Sequence, residues 1–337
     1  MSRSRNMSTR RHNWAGALWL LAGSVAASAH AVEPVFVILP DSPDVIGEIS
    51  LTTTMPDDTI LDIARAYGQG YREIRLANPK VDAWLPGDGT EVIVPGLYVL
   101  PDAPREGIVI NVAELRLYYF RGRGSKEPKR LMTFPISIGR EEWVTPKGVT
   151  RVVGKVKDPS WTPPESIRRE HAAYGDILPA VVPPGPDNPL GTHALRLGLT
   201  GYLIHGTDKP YGIGMRVTHG CIRMYPKDIV TMYEATPVGT PVHIVNQPFK
   251  VGLAHGNIYL EVHPHLEEDV AAAADQYTRV VDKILSRTAG LEVELSWPEI
   301  KQAVEMPTGI PRIVGNFRER VVSTAPGVRG RSPLAQN

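Results

Sequence analysis

The chain has 337 residues, with 37 Lys and Arg against 36 Asp and Glu and a formal net charge of +1. That balance gives no electrostatic reason to expect nucleic acid or a strongly charged partner, and a hydrophobic content of 42% is ample for a core. A single cysteine excludes an internal disulfide, while 31 prolines and 31 glycines point to turns and short strands rather than long helices.

The chain opens with Arg3, Arg5, Arg10 and Arg11 and no acid before Asn13, then an apolar run from Trp14 to Ala27, then Ala29-His30-Ala31. A basic start, a short apolar core and an A-x-A site read as a secretory signal peptide over residues 1–31. The run is too short to span a bilayer easily, which takes about 20 apolar residues. Export to the periplasm is therefore expected. In an oxidising compartment a lone free thiol is hazardous, so its presence implies use.

Residues 52–95 form a small unit. Asp57-Asp58-Thr59 caps a helix whose one face carries Ile60, Leu61, Ile63 and Ala64. A second helix is expected from Tyr71 to Ala77, then a turn at Leu85–Gly89 and a strand at Glu91–Pro95. The order strand–helix–helix–strand resembles a LysM module, which implies binding of glycan strands containing N-acetylglucosamine. The opening departs from the usual Pro-Gly-Asp-Thr, with Pro56-Asp57-Asp58-Thr59 in its place, and a docking role is the alternative. Residues 98–106, with Pro101 and Pro104, read as a linker.

From Gly107 the texture becomes that of short strands. Ile108–Val112 and Leu115–Phe120 read as a hairpin, Arg121–Arg130 as a polar turn and Leu131–Ile138 as another strand. Residues 154–190 are rich in proline, and so much irregular chain marks a functional loop or lid. Within it Trp161 is a candidate for lining a groove. A helix is expected from Asp228 to Tyr233, a last strand within Thr236–Asn246, and a helix at Ala271–Leu285. Residues 247–315 read as a C-terminal helical extension and 316–337 as a disordered tail.

Between the strand Ala194–Leu199 and that helix stands the stretch His205-Gly-Thr-Asp-Lys-Pro-Tyr-Gly-Ile-Gly-Met-Arg-Val-Thr-His-Gly-Cys221-Ile-Arg-Met224. Apolar residues flank it, and Gly206, Gly212, Gly214 and Gly220 allow tight turns and close backbone approach. From residue types alone three readings stay open: an inert buried cysteine, a zinc site lacking an evident fourth ligand, or a cysteine nucleophile with histidines to activate it.

His-Gly-Thr followed at this interval by Thr-His-Gly-Cys-Ile-Arg resembles the signature of the L,D-transpeptidases with a YkuD-type catalytic domain. Gly-Ile-Val-Ile-Asn with Leu-Arg-Leu-Tyr-Tyr after Glu106, and Thr145-Pro146-Lys147-Gly148, resemble the same family. The run Asp187–Gly191 and the later Tyr-Leu-Glu-Val-His segment resemble its branch that couples a lipoprotein to peptidoglycan. The resemblance implies a mainly β catalytic domain at 107–246 that needs no cofactor or metal. It implies Cys221 as nucleophile, His205 as base oriented by the carbonyl of Gly206, and His219 on the oxyanion and acceptor side. It adds the N–H groups of Gly220 and Cys221 as oxyanion donors, with Arg223, Arg216, Thr218 and Trp161 as substrate contacts.

The implied partners are peptidoglycan stem peptides, cut after diaminopimelate, and a lipoprotein or outer-membrane protein as acceptor. Cross-linking between diaminopimelates, and carboxypeptidase or exchange activity, are the alternatives within the family. A wall-binding protein without activity is the alternative outside it. Acylation by carbapenems follows from the same resemblance.

Overall fold

The computed structural model describes residues 35–39, 42–122 and 128–319. The expected signal peptide, the polar turn at 123–127 and the tail beyond residue 319 lie outside the described residues. Among the described residues, no helix is long and apolar enough to cross a membrane.

The fold is mainly β, and a nine-stranded sheet carries the site. From edge to edge its strands are Phe36–Ile38, Lys129–Pro135, Arg116–Arg121, Gly107–Asn111, Pro241–Val245, Gly148–Lys157, His193–Leu197, Leu203–His205 and Ile222–Arg223. The expected hairpin is present, pairing Ile108 with Tyr119 and Ile110 with Leu117. A bridge from Ser137 to Arg223 joins the last strand to the chain leaving Lys129–Pro135. The sheet therefore curls round a core that includes Ile108, Ile110, Leu117, Ile204, Ile222 and Val242. The helix Pro226–Ala235 closes that core with Ile229 and Met232.

Two features of this domain differ from expectation. A ten-residue strand, Gly148–Lys157, runs into the stretch expected to be irregular, and the helix Glu165–Ala173 lies within it. The strand was hard to read because only Val152 among its residues is buried, so the two-residue alternation is faint.

The N-terminal unit has the order strand Val45–Thr53, helix Ile60–Ala66, helix Tyr71–Ala77, strand Glu91–Val99. Thr59 caps the first helix reciprocally: its hydroxyl accepts from Asp62 N at 3.2 Å, and Asp62 Oδ2 accepts from Thr59 N at 3.1 Å. Ile60, Ile63, Ala64, Ile74 and Val92 form its small core.

The unit is fused to the sheet rather than tethered to it. Arg116, almost fully buried, donates from Nε to Glu73 Oε1 at 2.5 Å and from Nη2 to Glu73 Oε2 at 2.8 Å. Residues expected in a linker are part of this packing: Tyr98, Val99 and Leu100 are buried, and the strand continues to Val99. The prolines at 101 and 104 gave the segment a linker's composition, but its apolar triplet belongs to the interior.

The C-terminal extension is not helical in the sense expected. It is a four-stranded antiparallel sheet, in the order Phe249–Ala254, Asn257–Val262, Arg312–Glu319, Leu291–Leu295, with helices Gln276–Arg287 and Trp297–Glu305 packed on it. Leu291–Leu295 is an edge strand whose residues stay largely accessible, so its sequence carries little burial pattern. Residues 316–319, assigned to the tail, complete the last strand.

Candidate active site

The strands Leu203–His205 and Ile222–Arg223 pair in parallel, with Ile204 opposite Ile222 and His205 opposite Arg223. Ile204 and Ile222 are fully buried in the core. Because side chains alternate along a strand, His205 and Arg223 leave the opposite face. Cys221 precedes Ile222 and shares their side of the sheet by the same alternation. The diagonal spacing of such neighbours, roughly 7–8 Å between backbones, lies within reach of a histidine and a cysteine. Residues sixteen apart in sequence are thus brought together by one strand pairing.

His205 is buried, and its Nδ1 lies 2.7 Å from the carbonyl of Gly206. A carbonyl only accepts, so Nδ1 carries the proton and Nε2 keeps its lone pair. Burial, reinforced by the Arg223 guanidinium, pushes the ring down to about 3, against hydrogen bonds to the backbone of Gly206 and Leu190. The imidazole is neutral in any ordinary buffer. Burial likewise pushes the Cys221 thiol up, opposed by the backbone of Leu203 and the charge of Arg223. Thiol and base are therefore both uncharged at rest, an arrangement that suits proton transfer during attack rather than a standing ion pair.

Cys221 is half-buried, with Sγ 3.6 Å from the carbonyl of Gly201. A tight turn presents it. The Thr218 hydroxyl donates to Cys221 O at 2.6 Å and accepts from Gly220 N at 3.2 Å. Gly220 has φ +99, and a Cβ there would stand 2.9 Å from Tyr202 Cε1. Only glycine fits. Thr145 completes the turn, donating to Gly220 O at 2.8 Å and accepting from Gly139 N at 3.0 Å.

Two expected roles change here. Thr218 is buried and spends its hydroxyl on the turn, so it shapes the cysteine's backbone instead of meeting substrate. Gly220 N–H is directed to Thr218, not towards an oxyanion.

The second histidine sits among charges. His219 Nε2 lies 2.9 Å from Glu170 Oε2 and 3.3 Å from Arg140 Nη2, and its ring stands edge-on to Trp143 with centroids 5.1 Å apart. Glu170, Arg140 and Trp143 escaped sequence reasoning, because nothing local marks a glutamate 49 residues upstream as a partner of His219. Thr145 stood in a quoted turn without a role.

The candidate substrate contacts separate. Arg223 stays at the site, and its buried Nε has no hydrogen-bond partner among the described residues. Arg216 is already engaged: it donates to Gly139 O at 3.1 Å and to Glu268 Oε2 at 2.7 Å, and pairs with Glu267 as well. It ties the signature loop to the C-terminal extension. Trp161 exchanges backbone hydrogen bonds with Val182, 2.9 and 2.8 Å, and so clamps the base of the proline-rich excursion.

The loop between the histidines also rests on the N-terminal unit. Tyr71 N donates to Ile213 O at 3.0 Å and Arg72 N to Gly214 O at 3.2 Å. A Cβ on Gly214 would meet Tyr71 N at 2.2 Å, which explains the glycine. As for metal ligands, Glu114, Glu261 and His263 offer atoms within 4.8 Å of one another. Lys250 already supplies the cation there, 2.6 Å from Glu114 and 2.8 Å from Glu261.

With this geometry in hand, comparison with known proteins is informative. Residues 105–244 match the model of the YkuD family, the L,D-transpeptidase catalytic domain. Over 250 residues the chain is 41% identical to a protein of Escherichia coli K12 named "Probable L,D-transpeptidase ErfK/SrfK", spanning 73% of this chain and 79% of that one. Identity to YcfS of the same strain is 41% over 269 residues, with 78% and 82% covered. To YbiS it is 40% over 243 residues, with 72% and 76% covered. The chain belongs to the L,D-transpeptidase family.

Proposed function

We propose that the protein is an exported L,D-transpeptidase in which Cys221 is the nucleophile and His205 the base. What supports this is that Cys221 directly precedes the strand paired with Leu203–His205, and that His205 is neutral with its Nδ1 on Gly206 O. Cys221 Sγ attacks the carbonyl of diaminopimelate in a tetrapeptide stem, and its proton passes to His205 Nε2. The bond to the terminal D-alanine breaks, the amine leaves with that proton, and a thioester remains. An acceptor amine then attacks the thioester, giving a proton to His205, which returns it to the departing sulfur. Atoms balance without any cofactor.

Arg223, half-buried on the strand beside the base and with a buried Nε unpaired among the described residues, suits a carboxylate of the stem. The acceptor is an amine of a protein or lipoprotein, a reading supported by the identity to ErfK, YcfS and YbiS over most of the chain. The N-terminal unit brings the enzyme to glycan strands. Purified protein incubated with disaccharide-tetrapeptide and a panel of amines tests the whole proposal by product mass. Release of D-alanine with a mass gain equal to the amine supports it, and no reaction in the presence of an alkylatable Cys221 rejects it.

A further inference from the structure

The helix Glu165–Ala173 belongs to the proline-rich excursion and carries no residue of the signature. Its only buried side chain is Ile167, so apolar packing fixes it weakly. Its polar attachment is stronger. Both carboxylate oxygens of Glu170 accept from Arg140 Nη2 at 2.6 Å, and Oε2 lies 2.9 Å from His219 Nε2. Arg140 in turn has its Nε 3.3 Å from Glu142 Oε2. Trp143 supports the ring of His219 from one side.

We propose that Glu170 is a positioning residue for the transfer reaction, fixing the ring and tautomer of His219 two residues before the nucleophile. The proposal rests on the transpeptidase reading above. A ring nitrogen 2.9 Å from a carboxylate carries a proton, so Nε2–H points at Glu170. Nδ1 is then the nitrogen left for chemistry, as lone pair or as donor. Arg140, followed by His219 itself, holds the Glu170 carboxyl down to about 2, so it stays anionic and orients without taking the proton.

Arg140 gives the arrangement its logic. Its Nη2 stands 3.3 Å from the same Nε2. Without the carboxylate, that cation would donate to Nε2 and move the ring proton to Nδ1. Glu170 therefore decides between two tautomers of His219. The charged groups around the ring are Glu170 from the helix, Arg140, and Glu142 beyond it.

The full-length protein and its Glu170→Gln, Glu170→Ala and Glu170→Asp variants test this with disaccharide-tetrapeptide as substrate. D-alanine release is followed across pH 5 to 9, ring tautomers by nitrogen NMR of labelled histidine, and Cys221 reactivity by iodoacetamide. The Gln and Ala variants are expected to lose on the order of tenfold or more in kcat with little change in KM. The ring proton of the Ala variant moves to Nδ1, and Asp restores most of the rate. Alkylation of Cys221 and the melting temperature stay as in the wild type, since burial, the backbone of Leu203 and the charge of Arg223 act on the thiol, and Glu170 does not. A Gln variant with wild-type kcat, or an Ala variant whose ring proton stays on Nε2, overturns the proposal. So does one with higher turnover and lower KM, which would make Glu170 a plug in a seat meant for substrate carboxylate. A wild type that alkylates but releases no D-alanine overturns the transpeptidase reading, and this proposal with it.

Discussion

His205 and His219 flank one cysteine and live in opposite surroundings. His205 is enclosed, neutral and held by main-chain carbonyls of its own and a neighbouring segment. His219 is half-exposed and held by side chains, Glu170 and Arg140, from the helix and the turn above it. A backbone clamp cannot be altered without moving the sheet, whereas a side-chain clamp can adjust as substrates enter and leave. On the proposed mechanism, the difference suits His205 to proton transfer and His219 to the adaptable acceptor side.

The largest effect belongs to the group both histidines serve. Cys221→Ala is expected to abolish D-alanine release while the protein keeps its melting temperature, since loss of one half-buried sulfur costs little. Retained turnover by the folded variant would remove the nucleophile assignment. Next, His205→Ala should slow single-turnover acylation by roughly 10²–10⁴, the usual contribution of a general base. His219→Ala should cost less in acylation and more in transfer to the acceptor amine. Reversed magnitudes would exchange the two roles.

A pH experiment sharpens the same contrast. His205 titrates near 6.5 when unfolded and about 3 when folded, so between those values the unfolded chain holds a proton that the folded one does not. Its contribution to stability is complete above pH 6.5 and is lost as pH falls, by at most ~1.4 kcal/mol per unit. Urea titrations of wild type and His205→Asn from pH 7 to 4 should differ in slope by this group alone, the variant being flatter. Equal slopes would mean that the buried ring is protonated in the fold.

How much of this was legible depends on the range of the interactions. The hairpin from Gly107, the capped helix behind Thr59 and the turn with Gly220 were readable because propensity, capping and φ are local. The signature marked His205 and Cys221, and the Gly206 carbonyl does lie 2.7 Å from His205 Nδ1. What escaped was long-range and polar. Glu73 meets Arg116 from 43 residues away, and Glu170 meets His219 from 49. Each looks like ordinary surface charge on a helix until the chain is folded. The supposed linker and the supposed helical extension failed for a related reason: composition reports turns and helices, but not which sheet a short apolar triplet joins.

The N-terminal unit allows the contrast to be broken at a distance, because it supports the loop between the histidines. Glu73→Ala strands the Arg116 guanidinium, 1% exposed, without its partner. An uncompensated buried charge costs about 3–5 kcal/mol. Calorimetry should register that loss as a lowered melting temperature. Acylation should fall at temperatures where the unit detaches, because Tyr71 and Arg72 then release Ile213 and Gly214. By the same argument a chain starting at Gly107 should be unstable rather than a free-standing catalyst. If that shorter chain melts like the whole protein and keeps full turnover, the N-terminal unit is an independent binding module.

The smallest effect separates the two arginines of the signature. Arg216 lies between Gly139 O and the carboxylates of Glu267 and Glu268, and Glu267 is 60% exposed. The Glu267 arm, open to water, contributes roughly 0–1 kcal/mol, the Glu268 arm is more sheltered, and a guanidinium already shared by two carboxylates has little left for a third. Arg216→Ala should therefore leave KM for the tetrapeptide within about twofold and lower the melting temperature. Arg223 is the opposite case, with a buried Nε that lacks a partner among the described residues and would find one in the substrate. Arg223→Ala should raise KM on the order of tenfold, the size of a lost charge-assisted hydrogen bond of about 1.5–3 kcal/mol. Steady-state kinetics of the two variants side by side decide the matter. Equal rises in KM would mean that the carboxylates of the extension yield Arg216 to the substrate, and that both arginines hold the stem.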